Sequence, residues 1–123
     1  MMKNFVGVII EESLENKKVM GKVKILKTKT ETVTEKHKTP WITQWTLHTV
    51  EIPENRVNEV AEDLSKSLDS KHAWYADFKN DRFHYVVFRD KIFKVNRADN
   101  KKYAEVTKYG LSLGIPDYQL DFS

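Results

Sequence analysis

The sequence predicts an α+β domain, a mainly antiparallel sheet of five to six strands with two helices packed on one face, in the order βββαβββα. Three observations predict it. Period-two, β-branched and aromatic segments fill residues 5–52 and 74–95. Two stretches, after Pro53 and after Asp99, carry apolar residues at helical spacing. The strand segments of the second half are joined by connections short enough for hairpins.

The first strand is Phe5-Val-Gly-Val-Ile-Ile10, which is too short for a stable helix and is closed by Glu11 and Glu12. After the polar turn at Glu15, Asn16 and Lys17, a long second strand is expected over Val19 to Thr34, because apolar and lysine residues alternate there and threonines follow. Residues 31–41 read as a long loop ending at Pro40, which cannot donate to a ladder. A third strand runs from about Ile42 to Ile52. Pro53 and Glu54 suit a first helical turn, and Val57, Val60, Ala61, Leu64 and Leu68 make the apolar stripe that follows.

Asn80 and Asp81 tolerate positive φ, so they are expected to form the two-residue type I′ loop of a hairpin. That register sets Asp77 opposite His84, Phe78 opposite Phe83 and Tyr75 opposite Val86. Trp74, Ala76, Phe78, Tyr85 and Val87 then share one face, and Tyr75, Asp77, His84, Val86 and Phe88 the other. A second turn is centred on Asp90, giving a last strand Ile92 to Val95. Asp99 reads as the N-cap of the second helix, whose inner stripe is Tyr103, Val106, Tyr109 or Gly110, and Leu113. Gly114 and Pro116 close it. Residues 115–123 form an extended tail, with Tyr118, Leu120 and Phe122 at period two, expected to dock along an edge.

At 123 residues the chain reads as one domain, 1–123. It has no cysteine, which removes disulfides and thiolate metal sites and suits a cytoplasmic setting. The longest apolar run has six residues, too short for a transmembrane helix or a secretory h-region. The net charge of +3 does not announce a nucleic-acid or membrane protein. Four glycines, at 7, 21, 110 and 114, build no Gly-rich phosphate loop, so ATP, GTP and NAD chemistry is not expected and no cofactor is assigned. None of His37, His48, His72 and His84 has a His partner at metal-ligand spacing, and no metal is assigned.

Because both faces of the Trp74 to Phe88 hairpin are apolar, its second face must be covered by a partner, a ligand or the chain's own segments. The leading expectation is a non-catalytic binding module using that aromatic face, for a protein partner, a small apolar ligand or a second copy. Trp41, Trp45, Tyr75, Tyr85 and Phe88 are its ligand or interface candidates. One alternative is single-stranded nucleic-acid binding, with Lys22, Lys24, Lys27, Lys29, Lys79 and Arg82 as anion contacts and aromatic rings as stacking platforms. Another is an enzyme built on Asp77 and His84, since a carboxylate beside an imidazole orients it for proton transfer. No nucleophile completes a triad, and no Gly-x-Ser-x-Gly elbow exists.

Overall fold

The structure, a computed structural model, describes residues 4–37 and 39–120. Its strands are β1 (Phe5–Ile10), β2 (Lys24–Thr32), β3 (Gln44–Ile52), β4 (Tyr75–Lys79), β5 (Phe83–Phe88) and β6 (Lys91–Asn96). Helix α1 (Val57–Ser67) follows β3 and α2 (Asn100–Ser112) follows β6. All six strands join one antiparallel sheet in the order β2-β3-β1-β4-β5-β6. The class and element order agree with the sequence.

The placement of the helices does not. On β5, Tyr85 and Val87 belong to the core under α1, with Phe5, Ile9, Val50, Ile52, Ala76 and Phe78. Val86 and Phe88 belong to a second core with Phe93, Val95 and α2's Val106. Adjacent strand residues point to opposite faces, so the two helices lie on opposite sides of the sheet. The expectation of two helices on one face is corrected by the very feature that made the hairpin unusual, its second apolar face. Val60 and Leu64 of α1 are fully buried, each worth roughly 1.5–3 kcal/mol relative to exposure. The end of α1 is pinned to the hairpin by Ser65, whose hydroxyl donates to the Phe88 carbonyl at 2.7 Å, and by Arg89, which donates to the carbonyls of Lys66 and Leu68.

Local geometry departs from the sequence reading in four places. Residues 17–22 form a 3-10 run instead of the start of β2, because the Asn16 side chain caps the Lys18 N–H and Val19 is buried in the first core. The loop after β2 accordingly spans 33–43 and contains a 3-10 turn, Glu35–His37. At the β4–β5 hairpin, Asp77 faces Val86 and Lys79 faces His84, so Asp81 and Arg82 form the tip. Asn80 does not enter a type I′ loop: its side-chain oxygen accepts the N–H groups of Arg82 and Phe83 at 2.9 and 2.8 Å. The one non-glycine residue with positive φ among those described is Asp90, at 61°, in the second hairpin loop. Last, Asp117–Gln119 is a 3-10 turn, not an extended edge strand, and Ile115 and Leu120 are buried against α2 on the second face. Phe122 lies outside the described residues. The Asp99 side chain caps α2 as expected, accepting the Lys102 N–H at 3.1 Å.

Candidate functional site

The strand order puts Val8, Thr49 and Asp77 in one row across the second face, with Ile10 and Leu47 paired in the next and Tyr75 two residues along β4 from Asp77. Helix α2 covers this face over β5 and β6 and leaves it open over β1, β3 and β2, where Val6 and Val8 are exposed. Between the covered and open halves lies a cleft of about 290 Å³. Val8 and Ile10 of β1 and Trp45 and Leu47 of β3 form its floor and one wall. Ala73, Trp74, Tyr75 and Asp77 from the β4 side, with Ile115 and Gln119 from the C-terminal segment, complete it. Asp77 is the one formally charged residue in the lining.

The cleft is held by specific contacts. Trp45 and Trp74 pack at 5.6 Å between ring centroids, and the Trp45 indole N–H donates to Thr39 Oγ1 at 2.9 Å. His37 meets Trp45 edge-on at 4.4 Å. The Tyr75 hydroxyl donates to the Gln119 carbonyl, and the Gln119 amide donates to the carbonyls of Lys36 and His37 at 3.1 and 3.0 Å. The segment 117–119 therefore straps the rim to the loop after β2.

Asp77 is backed by a chain of polar groups that passes through the buried His84. His84, with no exposed surface, lies with Nε2 2.7 Å from Asp77 Oδ2 and Nδ1 3.0 Å from the Tyr103 hydroxyl on α2. Burial pushes the Tyr103 phenol up, an effect that a hydrogen bond from the Arg97 guanidinium partly offsets. A carboxylate without a proton can only accept, so His84 Nε2 carries the hydrogen that it gives to Asp77. Asp77 Oδ1 accepts no hydrogen bond from the described residues.

The other candidate residues fall elsewhere. Trp41 is exposed and stacked on His72 at 3.6 Å, outside the cleft. Tyr85 is buried under α1 and donates to Asn58 at 2.5 Å. Phe88 is buried beneath Tyr109 of α2, 4.9 Å away. Neither is available to a partner, and the surface that motivated a face-wide interface on this hairpin is closed by the chain itself. Lys22 is committed to Asp63 and Glu59 on α1. Lys24, Lys27 and Lys29 do share the open side of the sheet, yet Glu51 and Glu31 stand on that same side. Lys79 sits opposite His84, and Arg82 lies at the hairpin tip over the Phe83 ring.

His37, His48 and His72 each engage one carboxylate, those of Glu31, Glu11 and Asp69. Among the described residues no group of three His, Cys, Asp or Glu is placed to hold a metal ion, and no helix is long and apolar enough to cross a membrane. Sequence reasoning missed Trp74 as a wall, Tyr103 and Arg97 behind His84, and the strap at Gln119. Tyr103 was legible only as a member of an inner helical stripe, because nothing local to it names a residue on β5 as its partner. Comparison of the chain with protein-family models, with curated proteins and with solved structures finds no match.

Proposed function

We propose that this protein is a small-ligand binding module whose site is the aromatic cleft at the β1–β4 junction. The supporting observation is the cleft itself: eight apolar or aromatic residues around one carboxylate, in a volume near the lower end of those that hold small molecules. The ligand is small and mainly apolar. Two of the three tryptophans line the site, so intrinsic fluorescence reads its occupancy. Titration with 4-phenylbutanol, a neutral apolar probe, should give a saturable change, and Leu47→Arg, which projects a charged chain into the lining, should remove it. An unsaturable response, identical in the variant, would sink the reading.

A second reading is proton transfer, favoured by the His84 hydrogen bond to Asp77. Asp77 would take a proton from an acidic C–H of the bound ligand and return it, with His84 as a positioning residue. Deuterium exchange at such a C–H in a bound arylalkyl ketone, followed by NMR, tests this: exchange should vanish in Asp77→Asn while binding persists. Absence of catalysed exchange in the wild-type complex would end it. Nucleic-acid binding has less support, because Lys22 is tied to α1 and the remaining lysines of β2 share their face with carboxylates. The cysteine-free composition fits a reducing compartment, and we assign the module to the cytoplasm.

A further inference from the structure

Resting on the binding reading above, we propose that the cleft selects an organic cation, a primary or substituted ammonium carried on a small aryl or alkyl body. The inference comes from following each polar side chain of the lining. The Trp45 N–H is used by Thr39, the Tyr75 hydroxyl by the Gln119 carbonyl, and the Gln119 amide by the Lys36 and His37 carbonyls. The Trp74 N–H makes no hydrogen bond, but it is buried and presents no surface to the cleft. The side-chain donors of the walls are thus either spent on the protein or buried, and the side-chain groups left for a ligand are acceptors, the Asp77 Oδ1 and the side-chain oxygen of Gln119.

Side chains that offer only acceptors disfavour a carboxylate or phosphate, which would face Asp77 with no side-chain donor to meet it. A neutral acceptor such as a ketone oxygen gains no side-chain hydrogen bond here and binds only with that oxygen left to water. A donor is accepted, and a cationic donor gains most. It meets the negative charge of Asp77 and the faces of Trp45, Trp74 and Tyr75, the combination that recognises ammonium groups in aromatic cages. The chain behind Asp77 sharpens this. The His84 Nε2–H holds Oδ2, and Oδ1, which accepts no hydrogen bond from the described residues, is the oxygen left for a ligand. Lys79 stands two residues along β4, outside the lining.

The test uses three probes of one shape: 4-phenylbutylamine, 4-phenylbutanol and 4-phenylbutanoate, titrated against the full chain by tryptophan fluorescence and by NMR of the indole N–H signals. The amine should bind at least about tenfold more tightly than the alcohol, the scale of one charge-assisted contact in a partly buried site, and the carboxylate more weakly than either. Asp77→Asn, which can still accept from His84, should bring amine and alcohol to equal affinity. Equal binding of amine and alcohol by the wild-type chain, unchanged in Asp77→Asn, overturns the cation assignment and leaves the apolar site standing. Failure of all three probes to bind overturns the binding reading beneath it. Preference for the carboxylate overturns the cation assignment and the accounting of donors together.

Discussion

The Asp77 carboxylate accepts a 2.7 Å hydrogen bond from His84, a residue that does not face it: across the hairpin Asp77 stands opposite Val86, and His84 opposite Lys79. Diagonal neighbours of this kind in an antiparallel pair lie about 7–8 Å apart at the backbone, a gap that a long or aromatic side chain spans. The imidazole reaches along the strand to the carboxylate while its other nitrogen stays with Tyr103. A pair expected to be directly opposed is thus rebuilt as one link of a longer chain.

Removing links from that chain should cost stability unequally. His84→Ala leaves a buried cavity and removes the imidazole that meets the Tyr103 hydroxyl, for a loss of about 3 kcal/mol. Tyr103→Phe deprives only Nδ1, for about 1–2 kcal/mol. Urea denaturation of the double variant should show a loss smaller than the two singles added, because they share one interaction. Full additivity would mean that the chain is not coupled.

The hairpin tip offers a cleaner discrimination. If Asn80 served by adopting positive φ, Asn80→Gly would be neutral or stabilising. Because its side chain instead accepts two backbone N–H groups, Asn80→Gly should destabilise by about 1 kcal/mol or more, the scale of a lost side-chain cap. Thermal denaturation decides between the two.

Glycine positions differ sharply in what a methyl group would meet. A Cβ at Gly7 would fall 1.9 Å from the Asp77 carbonyl oxygen, while one at Gly21 would meet nothing within 4 Å. Gly7→Ala should therefore cost more than about 2 kcal/mol or prevent folding, and Gly21→Ala should stay within about 0.5 kcal/mol of the wild type. At Gly110 the obstacle is the flexible end of Leu120, 2.6 Å away, so Gly110→Ala should chiefly loosen the segment after α2. Hydrogen exchange at Ile115 and Leu120 would report it.

Stability should fall at both ends of the pH scale for different reasons. Hydrogen bonds from His48 to Glu11, from Ser70 to Glu15 and from Lys22 to Glu59 hold these carboxyls below their usual value of 4.5. Such groups stabilise the fold above that value and lose their contribution as pH falls through their lowered folded-state values. At the alkaline end, Asp63 and Glu59 hold Lys22 above 10.5, and burial raises the Tyr85 and Tyr103 phenols above 10.0. Their contribution is complete below those values and disappears as pH rises through the raised ones. Glu11→Gln should flatten the acid limb, Tyr85→Phe the alkaline limb, and salt should weaken the exposed Lys22 pairs first. Melting temperatures across the range check each.

How the sequence anticipated the site depends on parity. Moving the hairpin tip from Asn80-Asp81 to Asp81-Arg82 shifts every partner by two residues, and a shift of two leaves each side chain on its original face. Asp77, His84 and Tyr75 therefore arrive on the side foreseen for them although their opposite numbers changed. The turn itself was not legible, since asparagine favours both a positive-φ position and a side-chain acceptor role, and nothing nearby chooses between them. The side on which α2 packs was illegible for a comparable reason. Its stripe of Tyr103, Val106 and Gly110 specifies an apolar face but not which of two apolar sheet faces receives it. The early part of the long strand misled because Val19, Gly21 and Val23 alternate with Met20 and Lys22 in the sequence, although Lys17–Lys22 are wound into a 3-10 run.

β1 is the first strand of the chain and also a central one, paired with β3 on one side and β4 on the other. Phe5 to Ile10 meet β3 along their whole length, while only Val6, Gly7 and Val8 are in register with β4. The sheet is thus two sub-sheets welded along a short joint whose partners are distant in sequence, and contacts of that kind close late in folding and reopen early. The cleft lies directly across this joint, with Val8 and Ile10 on one bank and Tyr75 and Asp77 on the other. A molecule seated there acts as a rivet, and occupancy of the cleft would register as slower breathing of the weld itself.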